Sequence, residues 1–222
     1  MSRRTLRLGL AASLLSSFVV MAVAPNISSA APATTAITDR IFEQKLIDLG
    51  YDATVDGSVL TSKISSVTSL DLSNLQIASL AGISQFSSLT TLNLSGNTTL
   101  TTIGASAASF LPTNLRQLNA SGMTALISLD THSGAGNLET INVAGNTALS
   151  NLSLTDNHLT TLDVTGLNQL TYLTVERNSL SAAPKGMPSS LTSLHLYNNK
   201  IASIDVTSLT NLVNLGVEQN RL

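Results

Sequence analysis

A histidine beside a carboxylate is the usual start of acid–base or metal chemistry, and this chain has three: His132, His158 and His195. His195 follows Glu176 at close to the spacing at which a phrase of this sequence repeats, so the two could meet on adjacent strands as a two-ligand metal site. The simpler expectation is a pair of solvated strand residues. No HExxH, GxSxG, phosphate-binding glycine loop or cysteine nucleophile is present to complete a catalytic site. His132 lies in a Gly/Ser loop and His158 follows Asn157 on an expected turn. The chain is therefore expected not to be an enzyme, with no catalytic residue, no metal site and no cofactor.

Binding is the chemistry that its residue types do permit. Tyr172, Thr174, Glu176, Arg177, His195, Tyr197, Asn198 and Glu218 all fall between apolar positions that alternate along short segments. Such positions point away from a core. Tyr and Arg offer large contact area with a polar end, the usual source of binding energy at interfaces. These eight residues are the expected ligand-binding face.

A third candidate is Asp52-Ala-Thr54-Val-Asp56-Gly57-Ser-Val59-Leu-Thr-Ser-Lys63, which has polar residues at the first, third and fifth places of a calcium loop and glycine at the sixth. Its twelfth place should supply a bidentate carboxylate but holds Lys63. A turn without metal is expected there.

The elements that would position the binding residues are repeats. Leu149-Ser-Asn-Leu152-Ser-Leu154-Thr-Asp-Asn157 returns at a constant step as Leu170 to Asn178, Leu191 to Asn199 and Leu212 to Asn220. In each copy the LxL pair points inward from a short strand. The closing Asn has an amide with two donors and one acceptor, able to satisfy backbone groups of its own coil and a neighbour. A second phrase recurs at Leu70-Asp-Leu72, Leu92-Asn-Leu94, Leu118-Asn-Ala120, Ile141-Asn-Val143, Leu162-Asp-Val164 and Ile204-Asp-Val206, with a degenerate unit at Ala183-Pro-Lys-Gly-Met-Pro188. Each repeat thus has two apolar phrases, one per side of the coil. The sequence leaves open which of them forms the sheet in the early repeats. A continuous sheet is preferred, with the loops 105–114 and 131–137 absorbing the irregular lengths.

An LxxLxLxxN phrase at such a period is the mark of a leucine-rich-repeat solenoid, and these repeats resemble those of secreted or cell-surface bacterial proteins of the internalin-like type. The resemblance runs from about Ile37 to Leu222. Val55-Asp-Gly57, Val67-Thr-Ser-Leu-Asp-Leu-Ser73 and Leu80-Ala-Gly-Ile83 resemble the opening segment of secreted members. It implies an α/β solenoid: a right-handed coil with a parallel sheet on one face and a helical N-terminal cap. The cap is expected over Asp39 to Leu49, with Thr38 at its start, Phe42, Leu46 and Leu49 as its apolar stripe and Gly50 ending it.

The domain plan that follows is a signal peptide over 1–30, a linker and cap with the calcium-loop-like turn over 31–63, and repeats over 64–222. Arg3, Arg4 and Arg7 precede the apolar run Leu8 to Ala24, and Ser28-Ser-Ala30 supplies small residues for cleavage. The chain stops in mid-repeat, so a C-terminally truncated fragment is expected. Removing the signal leaves 8 basic against 13 acidic residues, a net −5 with no basic patch, which disfavours nucleic acid. The absence of Cys excludes disulfides. The resemblance implies a bacterial extracellular scaffold, secreted or on the cell surface, for adhesion or recognition, with a protein or glycan partner and no membrane span in the mature chain. The alternative is a passive spacer, or the N-terminal part of a larger surface protein or secreted enzyme.

Overall fold

In the computed structural model, residues 31–104, 110–131 and 136–222 are described; the expected signal peptide and His132 lie outside them. The repeat phrases become strands. Four of the second-phrase segments form one parallel sheet: β3 (Ser69–Asp71), β4 (Thr91–Asn93), β6 (Gln117–Asn119) and β8 (Thr140–Asn142). The four first-phrase segments, with two earlier strands that the sequence reading did not single out, form a second parallel sheet of six: β5 (Thr102–Ile103), β7 (Ser128–Asp130), β9 (Asn151–Ser153), β10 (Tyr172–Thr174), β11 (Ser193–His195) and β12 (Asn214–Gly216). The preferred continuous sheet on one face is thus corrected to two. Leu138 to Asn146 and Leu149 to Asn157, too close in sequence for separate coils, are the two sides of one coil, carrying β8 and β9. Among the described residues, the first sheet's column continues past β8 only as a bridge between Asp163 and Lys185. Lys185 follows Pro184, which has no N–H to give to a ladder.

Register is set by the inward apolar residue of each strand. Leu70, Leu92, Leu118 and Ile141 pair in one sheet, and Ile103, Leu129, Leu152, Leu173, Leu194 and Leu215 in the other. With the leading and trailing leucines of each phrase, all of these but Leu215, which is exposed, and Ile141, which is partly buried, fill one continuous core. A one-residue slip would turn every one of them outward.

The asparagine column works as the amide chemistry requires. Asn199 Oδ1 accepts from the Leu180 N–H, and its Nδ2 donates to the Val175 and Leu196 carbonyls. Asn157, Asn178 and Asn220 likewise accept from Leu138, Leu159 and Ile201. On the other side Asn97 and Asn146 do the same for Ile77 and Met123. Each amide thus ties a coil to the one before it.

Before the repeats, β1 (Thr34–Ala36) pairs antiparallel with β2 (Ser58–Leu60), and α1 (Arg40–Asp48) lies between them in sequence. A short turn of helix, α2 (Thr61–Ile64), follows β2. The first helix begins one residue later than expected. Asp39, not Thr38, caps it: Oδ1 accepts from Ile41 and Phe42, while Oδ2 accepts from Ala78 and Ser79. One carboxylate therefore both starts the helix and ties it to the first coil. Phe42 and Leu46 are buried, with Phe42 stacked on Phe86 at 6.1 Å, but Leu49 faces solvent. Its place in the buried stripe is taken by Glu43, only 1% exposed. Glu43 Oε1 accepts three successive backbone N–H groups, from Asp56, Gly57 and Ser58, at 2.9, 2.6 and 3.0 Å. The calcium-loop-like turn is wrapped around an internal carboxylate.

Candidate functional site

Seven of the eight expected binding residues come from two adjoining strands and the turns that follow them. On β10 and β11, Tyr172 is paired with Ser193 and Thr174 with His195. The Tyr172 and His195 rings are 5.7 Å apart and tilted by 42°. His195 Nδ1 stands 3.8 Å from Glu176 Oε1. Glu176 is in turn within 3.5 Å of the Arg177 guanidinium, which donates through Nε and Nη2 to both carboxylate oxygens of Asp156, one coil earlier. The fork raises the Arg177 pKa above its ordinary value, chiefly through the hydrogen bond to Asp156. The result is a line of side chains, Tyr172–His195–Glu176–Arg177–Asp156, running across β9, β10 and β11 and their turns. Among the described residues no cluster of three or more His, Cys, Asp or Glu is placed to hold a metal ion.

Tyr197 is half-buried, while Asn198 and Glu218 are exposed, with the Asn198 N–H bonded to the Glu218 carbonyl. Gly216 leaves open the space beside His195: a Cβ there would lie 3.2 Å from Nδ1. Tyr172 itself is 38% exposed. Thr174 departs from expectation. It is only 6% exposed, and its hydroxyl pairs with Thr155 at 3.1 Å, so it is part of the floor rather than a contact residue. It falls at an alternating outward position and is nonetheless buried.

Two features of this face escaped the sequence-based expectation. Asp156, one coil away, supplies the partner that holds Arg177 in place. The backbone at Asp156, Arg177, Asn198 and Gln219 is left-handed, with φ between 50° and 58°. The equivalent places before Asn97 and Asn146 on the other side are Gly96 and Gly145, with φ of 72° and 76°. The signal was visible as a glycine in the same position relative to the ladder Asn. From this turn Arg177 reaches Asp156 on the preceding coil. His158 is exposed just beyond the Asn157 turn, and its N–H bonds the Leu138 carbonyl.

Laddered asparagines, inward leucines and parallel strands at one period define a leucine-rich-repeat solenoid. The chain belongs to the leucine-rich-repeat family described as the endo-beta-N-acetylglucosaminidase EndoS LRR domain, which matches residues 61–181. The general Leucine Rich Repeat family matches residues 190–212. No curated protein matches the sequence. Among solved structures, the chain is similar to the functional domain of InlJ from Listeria monocytogenes, with 20% identity and a TM-score of 0.35, over 85% of this chain and 62% of that one. It is also similar to internalin C2 from the same species, with 20% identity and a TM-score of 0.36, over 86% of this chain and 92% of that one. Internalin F of that species matches at 22% identity and a TM-score of 0.30, over 83% of this chain and 77% of that one. The leucine-rich-repeat expectation is borne out by the family match; its ligand is a separate question, because the motif specifies fold.

Proposed function

We propose that the chain is a non-catalytic extracellular recognition module of a bacterium, docking a protein partner on the six-stranded face around Tyr172 and His195. The observation that supports this is the Tyr172–His195–Glu176–Arg177–Asp156 line: an exposed aromatic backed by a second ring, beside a guanidinium held in one orientation. Pre-ordered Tyr and Arg side chains lose little entropy on docking, which is why they dominate interface energetics. The extracellular setting rests on the basic, apolar and small-residue order of the first thirty residues. Among the described residues no helix is long and apolar enough to cross a membrane.

The test is capture of surface proteins by the immobilised chain, followed by affinity measurement against the captured protein. Tyr172→Ala and Tyr197→Ala should each cost about 2 kcal/mol of binding or more, with the melting temperature nearly unchanged. Undiminished binding by the folded double variant would move the site off this face. Failure to capture any protein would favour a passive spacer.

A further inference from the structure

We infer that α1 is a self-association element: its outer face packs antiparallel against the α1 of a second copy of this chain, across a two-fold axis beside Gln44. The helix turns Phe42, Glu43 and Leu46 inward. Its opposite face shows Arg40, Ile41, Gln44 and Asp48 to solvent. With Val55 and Leu75 these residues line a shallow groove of about 270 Å³. Ile41 is 44% exposed and Val55 38%, an aliphatic strip that the rest of the cap leaves uncovered.

The charges on this face are placed against the helix dipole. A helix is favoured by acids in its first turn and bases in its last, yet Arg40 opens α1 and Asp48 closes it. The acid of the first turn, Glu43, is turned inward and held by the loop 56–58. Among the described residues the Arg40 side chain makes no ion pair or hydrogen bond. Asp48 Oδ1 accepts only from the neutral Gln44 amide, at 3.0 Å. A two-fold axis beside Gln44 resolves both ends at once. Arg40 and Asp48 lie four residues to either side of that centre, about 6 Å along the helix each way. A second helix turned over therefore brings Arg40 of each copy opposite Asp48 of the other. Each guanidinium then also meets the negative end of the facing helix. Two pairs of opposite charge flank the Ile41 and Val55 strip, a polar rim around an apolar centre.

The charge pattern favours a second copy over a foreign partner. An acidic ligand drawn by Arg40 and Lys45 meets Asp48 in the same groove, and Lys45 already stabilises the Asp71 carboxylate. A basic ligand meets Arg40. A face that is positive at one end, negative at the other and uncharged in the middle is complementary to itself when reversed, which is what an isologous contact requires. One short helix face offers less than the roughly 1,200 Å² of a standard complex, so the pair is weak and reversible.

The experiment uses the absence of cysteine from the chain. Gln44→Cys in the full chain should form a disulfide-linked dimer under mild oxidation severalfold faster than Thr147→Cys, an exposed position on the repeats. Arg40→Glu or Asp48→Arg, each added to Gln44→Cys, should slow the reaction about threefold or more, because each sets like charges opposite one another at both ends. Both changes bring the helix charges into line with its dipole, so α1 should stay folded. An equal mixture of the two variants should recover much of the lost rate. In the mixed pair the introduced acid faces the introduced base, and the native Asp48 faces the native Arg40. The inference is overturned if Gln44→Cys links no faster than Thr147→Cys, if either charge reversal leaves the rate unchanged, or if the mixture stays as slow as its components.

Discussion

At the scale of single residues, the chain concentrates stability in a few polar side chains that bridge coils. Asn199 is the clearest case, because its amide serves the Leu180 N–H and two carbonyls at once. Asn199→Ala leaves those groups buried without partners and should cost about 3 kcal/mol, read as a lower urea midpoint. This role was legible in the sequence, since an Asn returning once per coil beside buried leucines has no explanation by burial preference. The burial of Thr174 was not legible, because alternation gives the direction of a side chain and not how far it is exposed. Asp163 makes a second residue-scale prediction. Its hydrogen bonds with Thr165, and then the Lys185 ammonium at 3.0 Å, lower its pKa from 3.8 to about 2. A depressed carboxylate stabilises the fold above its unfolded pKa, and that contribution is lost as pH falls through the folded one. The window is therefore between about pH 4 and pH 2, and Asp163→Asn should flatten the acid unfolding profile there. An Asp163→Asn profile that overlays the parent's would remove this group from the acid response.

At the scale of elements, α1 and the loop after it are joined through one buried carboxylate. Glu43 was not expected in the buried stripe because a helical pattern of apolar residues gives no weight to an acid. Only the loop 56–58, arriving from elsewhere in the chain with three N–H groups to satisfy, explains why it is there. Glu43→Ala should cost about 3 kcal/mol through those unsatisfied donors, and Glu43→Gln less, since an acceptor oxygen remains. Loss of exchange protection at Asp56, Gly57 and Ser58 in the alanine variant, ahead of the repeats, is the matching local signature; equal stability of both variants would show that water takes over the role. The two-sheet arrangement shows the same limit of pattern reasoning. Both phrases of a coil have the LxL alternation, so both were visible, but alternation is the same for a strand on either side. Which phrases pair was settled by the coil lengths and by the proline-rich stretch at 183–188, not by the strands' own residues.

At the scale of the whole molecule, the repeats make stability nearly one-dimensional: each coil touches chiefly its neighbours, so the consequence of a core change depends on where its coil sits. Leu194 and Leu215 occupy the same place in successive strands and pair in register. Leu194 is fully buried, with β10 on one side and β12 on the other, whereas Leu215 is 41% exposed. Both leucines hold the same place in the LxxLxLxxN phrase, so the phrase alone does not distinguish the two sites. Leu194→Ala should cost about 3 kcal/mol or more, as for a buried leucine whose neighbours cannot collapse into the gap. Leu215→Ala should cost about 1 kcal/mol, because much of its surface is already in water. The location of the damage should differ as well. Hydrogen exchange in Leu194→Ala should lose protection from β11 onward while β3, β4 and β6 keep theirs, since the break is passed to adjacent coils and attenuated beyond them. Equal costs at the two positions, or a uniform loss of protection along the chain, would mean that the solenoid unfolds as a single cooperative block and that position along it carries no energetic meaning.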